Sequence, residues 1–302
     1  MTTIAKPRNK VQRMASDKVF NFFLYLVCGI GTLIVLYPMY FIIIASFSDP
    51  IAVSSGNIGL LPVNPTLDGY KRLISYDSIW LGYRNTILYT LLGTLMMLAV
   101  NIPAAYALSR KDLVGRRLFN LFLIIPMFFT GGLIPTYMIV KDFNLVDNFW
   151  VMIIPFSVVT YYIIVARTFF ESSLPDSIWE AAQIDGCGNL RFFFSFALPL
   201  SKAIIAVIGL WAAVGIWNQY FNALIYLRKP ELQPLQIILR SILISNQNMA
   251  SMTTGSAAQE AQQLAELIKY AVIVVSSAPI MCLYPFVQKY FSQGVMIGAV
   301  KG

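Results

Sequence analysis

Long apolar runs alternate with short polar segments along this chain, and the pattern predicts helices that cross a membrane. Six runs stand out, at 19–47, 85–108, 118–140, 149–166, 203–226 and 270–287. A helix of roughly 20 residues crosses the hydrocarbon core of a bilayer, so each run is long enough for about one crossing. None of the six contains Lys, Arg, Asp, Glu or His. The pattern therefore predicts an all-α, polytopic membrane protein with six transmembrane helices.

The composition agrees with a place in the lipid bilayer. Hydrophobic residues make up 58% of the 302 residues and charged residues 12%, whereas soluble domains are about one quarter charged. The net charge of +8 does not indicate nucleic-acid binding, because the basic residues are scattered along the borders of the runs. The three cysteines, Cys28, Cys187 and Cys282, are dispersed and odd in number, which indicates neither a disulfide framework nor a metal site.

A basic arm precedes the first run, with Lys6, Arg8, Lys10, Arg13 and Lys18. The run that follows is longer than the apolar part of a signal peptide and lacks a small-x-small cleavage site, so we expect a retained helix. Basic flanks stay in the cytoplasm, and six crossings return the carboxyl end to the same side. We therefore expect both termini to be cytoplasmic, with an arm at 1–18 and one membrane domain at 19–302.

The connecting segments differ in length. The first external segment contains Pro50, Pro62 and Pro65 and is predicted to be irregular. The third, about 227–269, contains a possible helix at 235–244, followed by a polar stretch. Long loops of this kind are often functional. Prolines inside the runs are tolerated in membrane helices and do not by themselves indicate transport.

The cytoplasmic segment at about 171–202 has the pattern of a helix, a turn and a second helix. Pro175 suits the first turn of a helix over 175–185, and Ser173 or Asp176 can supply its cap. Gly186 suits its end, because glycine adopts the left-handed conformation without steric cost. Ala181 and Ala182 leave little bulk on this helix.

The second helix is predicted to be amphipathic and to lie along the inner membrane face. Its apolar stripe consists of Leu190, Phe193, Phe194, Ala197 and Leu198, at helical spacing. Pro199 then marks the start of the fifth run. Two interpretations of the first helix stay open: it docks a partner through Glu180 and Asp185, or it only caps the bundle.

The order Glu180-Ala181-Ala182, Asp185-Gly186 and Leu198-Pro199 resembles the cytoplasmic coupling motif of binding-protein-dependent ABC importer permeases. Cys187 and Gly188 depart from the pattern. The position of the motif between the fourth and fifth runs, and the ending 294–302, resemble the carbohydrate-uptake branch related to the maltose permeases. The start of the first external segment, Ser48-Asp49-Pro50, looks like the subgroup that handles complex oligosaccharides. The resemblance covers nearly the whole chain.

The resemblance implies a permease subunit in a bacterial cytoplasmic membrane whose loop inserts into a cleft of an ATP-hydrolysing subunit. It implies a second, different permease, two ATPase subunits and an extracytoplasmic solute-binding protein as partners. ATP and Mg²⁺ belong to the partner subunits, and this chain binds no cofactor and is not an enzyme. In agreement, the sequence lacks the G-x-x-x-x-G-K-[ST] phosphate cradle.

Two further contacts follow from the same resemblance. The tail is expected to reach the ATPase subunits through Gly298, Ala299, Val300, Lys301 and Gly302, although a frayed chain end fits the same residues. The third external segment corresponds to one that probes the docked binding protein.

The outer half of the fifth run offers a candidate substrate path. It contains Trp211, Trp217, Asn218, Tyr220 and Asn222. Aromatic faces and amides suit sugar rings and hydroxyls. Tryptophan and tyrosine are also typical of the membrane interface, and from the residues alone we favour that interpretation.

Two other function classes fit less well, and one alternative remains. Secondary transporters use ionisable groups or broken helices within the membrane, and the runs contain no acidic residue. A membrane enzyme lacks support because the chain has no histidine and no carboxylate pair in the runs. An ABC permease for a solute other than a sugar stays open.

Overall fold

The structure is a computed structural model that describes residues 15–252, 262–263, 265–282 and 285. Within these residues every regular element is helical. The basic residues of the arm from Lys6 to Arg13, the tail 298–302 and the part of the third external segment at 253–261 lie outside the described residues. The predictions made for them stay predictions.

The helices follow one another with few long connections. In chain order they are α1 (Ala15–Phe47), α2 (Pro50–Ser54), α3 (Asp68–Ile74), α4 (Asp77–Ser109), α5 (Arg116–Phe128), α6 (Leu133–Asp142), α7 (Thr160–Ser173), α8 (Asp176–Ile184), α9 (Asn189–Phe192), α10 (Leu198–Leu200), α11 (Lys202–Trp217), α12 (Phe221–Tyr226), α13 (Leu235–Met252) and α14 (Ala265–Cys282). A π-helical turn, Phe193–Ala197, joins α9 to α10, and short 3₁₀ turns lie at Phe149–Met152 and Pro230–Leu232.

Three described helices are individually long and apolar enough to cross a membrane. They are Val19–Phe47 in α1, α4 and α14. Two sharply bent pairs raise the number to five if each pair is one crossing: α5 with α6, bent by 117°, and 189–200 with α11, bent by 80°. The described part of the chain therefore supports an all-helical membrane fold, while six crossings stay a prediction.

Three of the predicted runs are not single helices. The third run breaks after Phe128, and α6 starts beyond Gly132, whose φ of 83° suits glycine. The fifth run breaks after Trp217, where the Asn218 side chain donates to the Val214 carbonyl at 2.9 Å and caps the helix end.

The fourth run is α-helical only from Thr160, after the 3₁₀ turn Phe149–Met152. The residues just before Thr160 are held by Asn101 of α4, which is completely buried. The Asn101 Nδ2 donates to the Ser157 carbonyl at 2.7 Å, and the Val159 amide donates to the Asn101 Oδ1 at 2.9 Å. These bonds satisfy backbone groups that a helix would otherwise pair.

The long helix α4 lies at the centre of the fold and packs against α7, α11 and α13. Close approach to α13 requires Gly82, since a Cβ there would lie 2.7 Å from the Ile238 Cδ1 and 3.0 Å from the Leu235 Cα. The predicted helix at 235–244 is confirmed and extends to Met252. One end of α4 is therefore locked to α13, and its other end points to the segment around α8.

The first helix stands apart from this bundle. Among its side chains from Val19 to Phe47, those of Ile44, Ala45 and Ser46 in the last turns are buried, and its most apolar stretch has no buried residue. An apolar surface of this extent is stable only when lipid or another protein covers it.

Candidate functional site

Helix α8 carries the first half of the cytoplasmic motif. It runs from Asp176 to Ile184, with Pro175 at the N-cap position and no side-chain cap. Of the two alternatives predicted for the cap, Ser173 is not used, because its hydroxyl is buried without a hydrogen-bond partner. Asp176 lies in the first turn, where its charge favours the helix dipole, and it accepts from the Lys111 Nζ at 2.6 Å.

The end of α8 is a complete Schellman motif, and it confirms the predicted conformation of Gly186. This glycine has φ +71°, and its amide donates to the Gln183 carbonyl at 3.0 Å. The Cys187 amide reaches back to the Ala182 carbonyl at 2.9 Å, and these two bonds define the motif. Cys187 and Ala182 are both buried. The turn therefore fixes the angle at which α8 leaves the bundle.

The predicted apolar stripe of the second helix is confirmed only in part. Phe193 and Ala197 are buried as predicted, whereas Leu190 and Phe194 are exposed, and Phe192, which was not predicted, is buried. The cause is the π-helical turn Phe193–Ala197, in which residues five apart share a face. The segment still lies at 80° to α11, which agrees with a helix along the membrane face.

The motif residues divide between the two sides of α8. Ala182 packs inward, while Glu180, Ala181 and Asp185 are exposed. Of the paired alanines, only Ala181 is therefore available to a partner. On the second helix Leu198 is half-buried and Pro199 is exposed.

Sequence reasoning missed Ile184, the last residue of α8. It is 88% exposed, next to the exposed Gln183 and Asp185. A large apolar side chain left in water beside a polar motif is typical of a contact surface. The signal was available, because Ile184 interrupts an otherwise small and polar stretch.

Sequence reasoning also missed the contact that holds the inner side of α8. The Arg110 guanidinium carbon lies 4.0 Å from the centre of the Trp179 ring, and Phe192 meets the same ring edge-on at 5.0 Å. Arg110 is itself fixed by two hydrogen bonds to Asp112, at 3.1 and 3.3 Å. The hydrogen bond from Arg110 lowers the pKa of the Asp112 carboxyl from its ordinary value.

A cleft of about 590 Å³ separates α8 from the ends of α4 and α7, and charged side chains line much of it. On its far wall Glu171 is paired with Arg116 and with Arg167, whose Nε lies 2.9 Å from the carboxylate. The Arg167 Nη1 also donates to the Asn120 Oδ1 at 2.7 Å. This network joins α5 to α7 on one side of the cleft, and α8 lines the other side.

The residues predicted for the substrate path do not form one cluster. Trp217 is buried, and its Nε1 donates to the Ser276 carbonyl of α14 at 3.0 Å. Trp211 packs on Tyr161 and Tyr162 of α7.

The other residues predicted for the substrate path lie at the break after α11. Asn218 and Tyr220 are exposed and Asn222 is half-buried. The Arg240 guanidinium of α13 lies 5.3 Å from the centre of the Tyr220 ring.

No group of three or more His, Cys, Asp or Glu side chains within the described ranges has the arrangement of a metal site. The residues described above offer contact surfaces and hydrogen-bonding groups.

Comparison with known proteins gives consistent matches over most of the chain. A family model described as "Binding-protein-dependent transport system inner membrane component" matches residues 78–297. The polygalacturonan/rhamnogalacturonan transport system permease protein YtcP of Bacillus subtilis (strain 168) is 36% identical over 290 residues, covering 95% of this chain and 99% of the relative. Protein LplC of the same organism is 38% identical over 274 residues, covering 91% and 92%.

Among solved structures, the chain is similar to one in the crystal structure of a bacterial ABC transporter involved in the import of the acidic polysaccharide alginate. The TM-score is 0.80 at 34% identity, with 96% of this chain and 100% of that chain covered.

Proposed function

From the premise that the chain belongs to the family of binding-protein-dependent transport system inner membrane components, we propose how it works as one half of a transport path. The chain is a permease subunit of an ABC importer in the bacterial cytoplasmic membrane, and ATP hydrolysis belongs to a separate subunit. In our proposal residues 19–302 form a membrane domain with six crossings, both termini are cytoplasmic, and the arm at 1–18 lies inside the cell.

The observation that carries the coupling role is the geometry of α8. The Schellman turn at Gly186 ends the helix with Ala182 buried in the bundle, and the exposed side of the helix carries Glu180, Ala181 and Ile184. A helix that only capped the bundle would bury its apolar residues, and Ile184 is exposed. This favours insertion of α8 into a groove of the ATPase subunit. In the proposal Asp185 shapes the turn after α8, and Leu198 and Pro199 shape the path of the chain back to the fifth run.

The partners follow from the family and from the uncovered surfaces. The exposed apolar sides of α1 fit contact with lipid and with a second permease, which we expect to be a different chain. Two ATPase subunits holding ATP and Mg²⁺ and an extracytoplasmic solute-binding protein complete the importer. We keep the tail 298–302 as a second contact with the ATPase subunits.

We propose that the transported solute is an oligosaccharide, with acidic fragments as the first candidates. Polygalacturonan and alginate, named for two similar proteins, are both polymers of uronic acids. The pair of Tyr220 and Arg240 offers an aromatic face for a sugar ring beside a guanidinium that suits a carboxylate. Asn218 and Asn222 lie on the same stretch of the fifth run.

The proposal is tested with the complete complex in proteoliposomes. Labelled trigalacturonate and labelled maltotriose are each supplied outside with the binding protein, and ATP is supplied inside or omitted. The proposed function requires uptake that depends on ATP. Uptake driven by a proton gradient alone would favour a secondary transporter. Complexes that hydrolyse ATP but take up neither sugar would favour a solute of another class.

A further inference from the structure

Arg110 is placed to join the docking helix to the main helix of the fold. It is the C-cap residue of α4, and its guanidinium lies over the ring of Trp179 on α8. We propose that Arg110 is a positioning residue that makes the tilt of α8 follow α4, and so links ATPase movement to the transport path. This inference rests on the proposed function, because it assigns a role within the same coupling site.

The contact is built to hold one orientation. The Arg110 side chain is only 18% exposed, and its two bonds to Asp112 fix the plane of the guanidinium. Trp179 is held on its other side by the buried Phe192. A cation over an aromatic face is stabilising within about 6 Å and more so when shielded from water.

A second link between the same two segments is weaker. Lys111 and Asp176 approach to 2.6 Å, but their side chains are 77% and 59% exposed. Exposed ion pairs contribute little because water screens them and the side chains lose freedom. Ile178 and Ala182 also pack α8 on the core that contains Phe170 of α7. Of the two charged links, the Arg110–Trp179 contact is the stronger, because the Arg110 side chain is shielded from water.

The opposite end of α4 is tied to the segment that leads into α13. The Asn85 Nδ2 donates to the Glu231 carbonyl at 2.8 Å and to the Gln233 carbonyl at 3.0 Å. The Tyr89 hydroxyl donates to the Leu232 carbonyl at 2.8 Å. An α4 of 33 residues is about 50 Å long at roughly 1.5 Å per residue. One helix therefore connects α8 with the segment at 231–233.

The experiment measures trigalacturonate taken up per ATP hydrolysed by the complete complex in proteoliposomes. Arg110→Ala should lower this ratio by about 2- to 30-fold, the range expected for loss of a cation–aromatic contact, while the ATPase subunits stay in the purified complex. Arg110→Lys retains a cation and should recover most of the ratio. Arg117→Ala removes an exposed arginine of α5, outside the docking segment, and is the matched control.

A double variant separates a direct contact from two unrelated effects. If Arg110 acts through Trp179, the ratio for Arg110→Ala with Trp179→Leu should be no lower than for either single variant. If Arg110→Ala complexes cannot be purified, the contact is removed from its other side. Trp179→Leu removes the aromatic face and should lower the ratio, whereas Trp179→Phe keeps an aromatic face and should retain most of it. A wild-type ratio in Arg110→Ala or Trp179→Leu, or effects that multiply in the double variant, overturns the inference. Absence of ATP-driven uptake in the wild type would instead overturn the proposed function.

Discussion

The amide of Cys187 donates to the carbonyl of Ala182 at 2.9 Å, and this bond closes the turn that ends the docking helix. The two residues are buried together, so the turn is fixed by packing as well as by hydrogen bonding. The outer side of α8, with Glu180 and Ile184, is consequently presented at a defined angle to the bundle.

Gly186→Val should disrupt this presentation. A left-handed residue other than glycine costs about 1–2 kcal/mol, and a β-branched side chain is among the least tolerated there. Space is not the obstacle, since an added Cβ would meet no atom within 4 Å. We expect purified Gly186→Val complexes to lose ATPase subunits or ATPase-coupled uptake. Gly186→Asn, which tolerates positive φ, is the control, and wild-type coupling in the valine variant would contradict the role of the turn.

Glu180→Lys should weaken attachment of the ATPase subunit without affecting membrane insertion. The Glu180 side chain is exposed on the outer side of α8, so the reversal changes the charge of the docking surface and leaves the bundle intact. Copurification of the ATPase subunit measures the effect. Asp142→Lys, an exposed reversal at the end of α6, should copurify normally. If the ATPase subunit copurifies equally with both variants, Glu180 is not part of the interface.

Asn101→Ala should destabilise the fold more than any exposed asparagine. It leaves the Val159 amide and the Ser157 carbonyl without their buried partner, and each orphaned group costs about 1–3 kcal/mol. Thermal unfolding of the detergent-solubilised complex should show a lower midpoint. Asn189→Ala, at an exposed position, provides the comparison. Equal unfolding midpoints for the two variants would show that the hydrogen bonds of Asn101 are not needed for stability.

Trp217→Ala and Asn218→Ala should have different effects, although both were predicted for the substrate path. Trp217 is buried against α14, and truncation of a buried aromatic costs about 3–5 kcal/mol, so assembly should suffer. Asn218 is exposed, so its alanine variant should assemble and lower uptake more than basal ATPase. Unchanged uptake in assembled Asn218→Ala complexes would favour the membrane-interface interpretation.

Arg240→Ala should lower uptake of trigalacturonate and spare any uptake of maltotriose. The guanidinium beside Tyr220 pairs with a carboxylate, which only the acidic sugar carries. Arg228→Ala removes another exposed arginine of the third external segment and controls for general loss of positive charge. An equal decrease for both sugars in Arg240→Ala would argue against carboxylate recognition at this site.

Local patterns in the sequence predict the features of the structure that depend on neighbouring residues. The apolar runs predict membrane helices, and the spacing from Pro175 to Gly186 predicts α8 with its left-handed end. The break before Thr160 depends instead on Asn101 of a different helix, and no local pattern records such a partner. The same reason hides the contact between Arg110 and Trp179.

The apolar face of the second helix illustrates a different limit. Helical spacing correctly places Phe193 and Ala197 on the buried face, but it also places Leu190 and Phe194 there and misses Phe192, which the π-helical turn brings to the side of Ala197. The change in periodicity arises where the segment packs on Tyr106 of α4. A period read from sequence assumes a regular helix, and this segment is not regular.

Photo-cross-linking from position 184 tests the central claim most directly. A photoreactive amino acid replaces Ile184 in the complete complex in its native membrane, and mass spectrometry identifies the adduct. The account predicts cross-linking to a subunit that carries the G-x-x-x-x-G-K-[ST] sequence of an ATPase, because Ile184 is exposed at the tip of the docking helix. The same probe at Leu36 of α1, which is also exposed, should give no ATPase adduct. A probe at 184 that reacts only with lipid or with this chain itself would contradict the account.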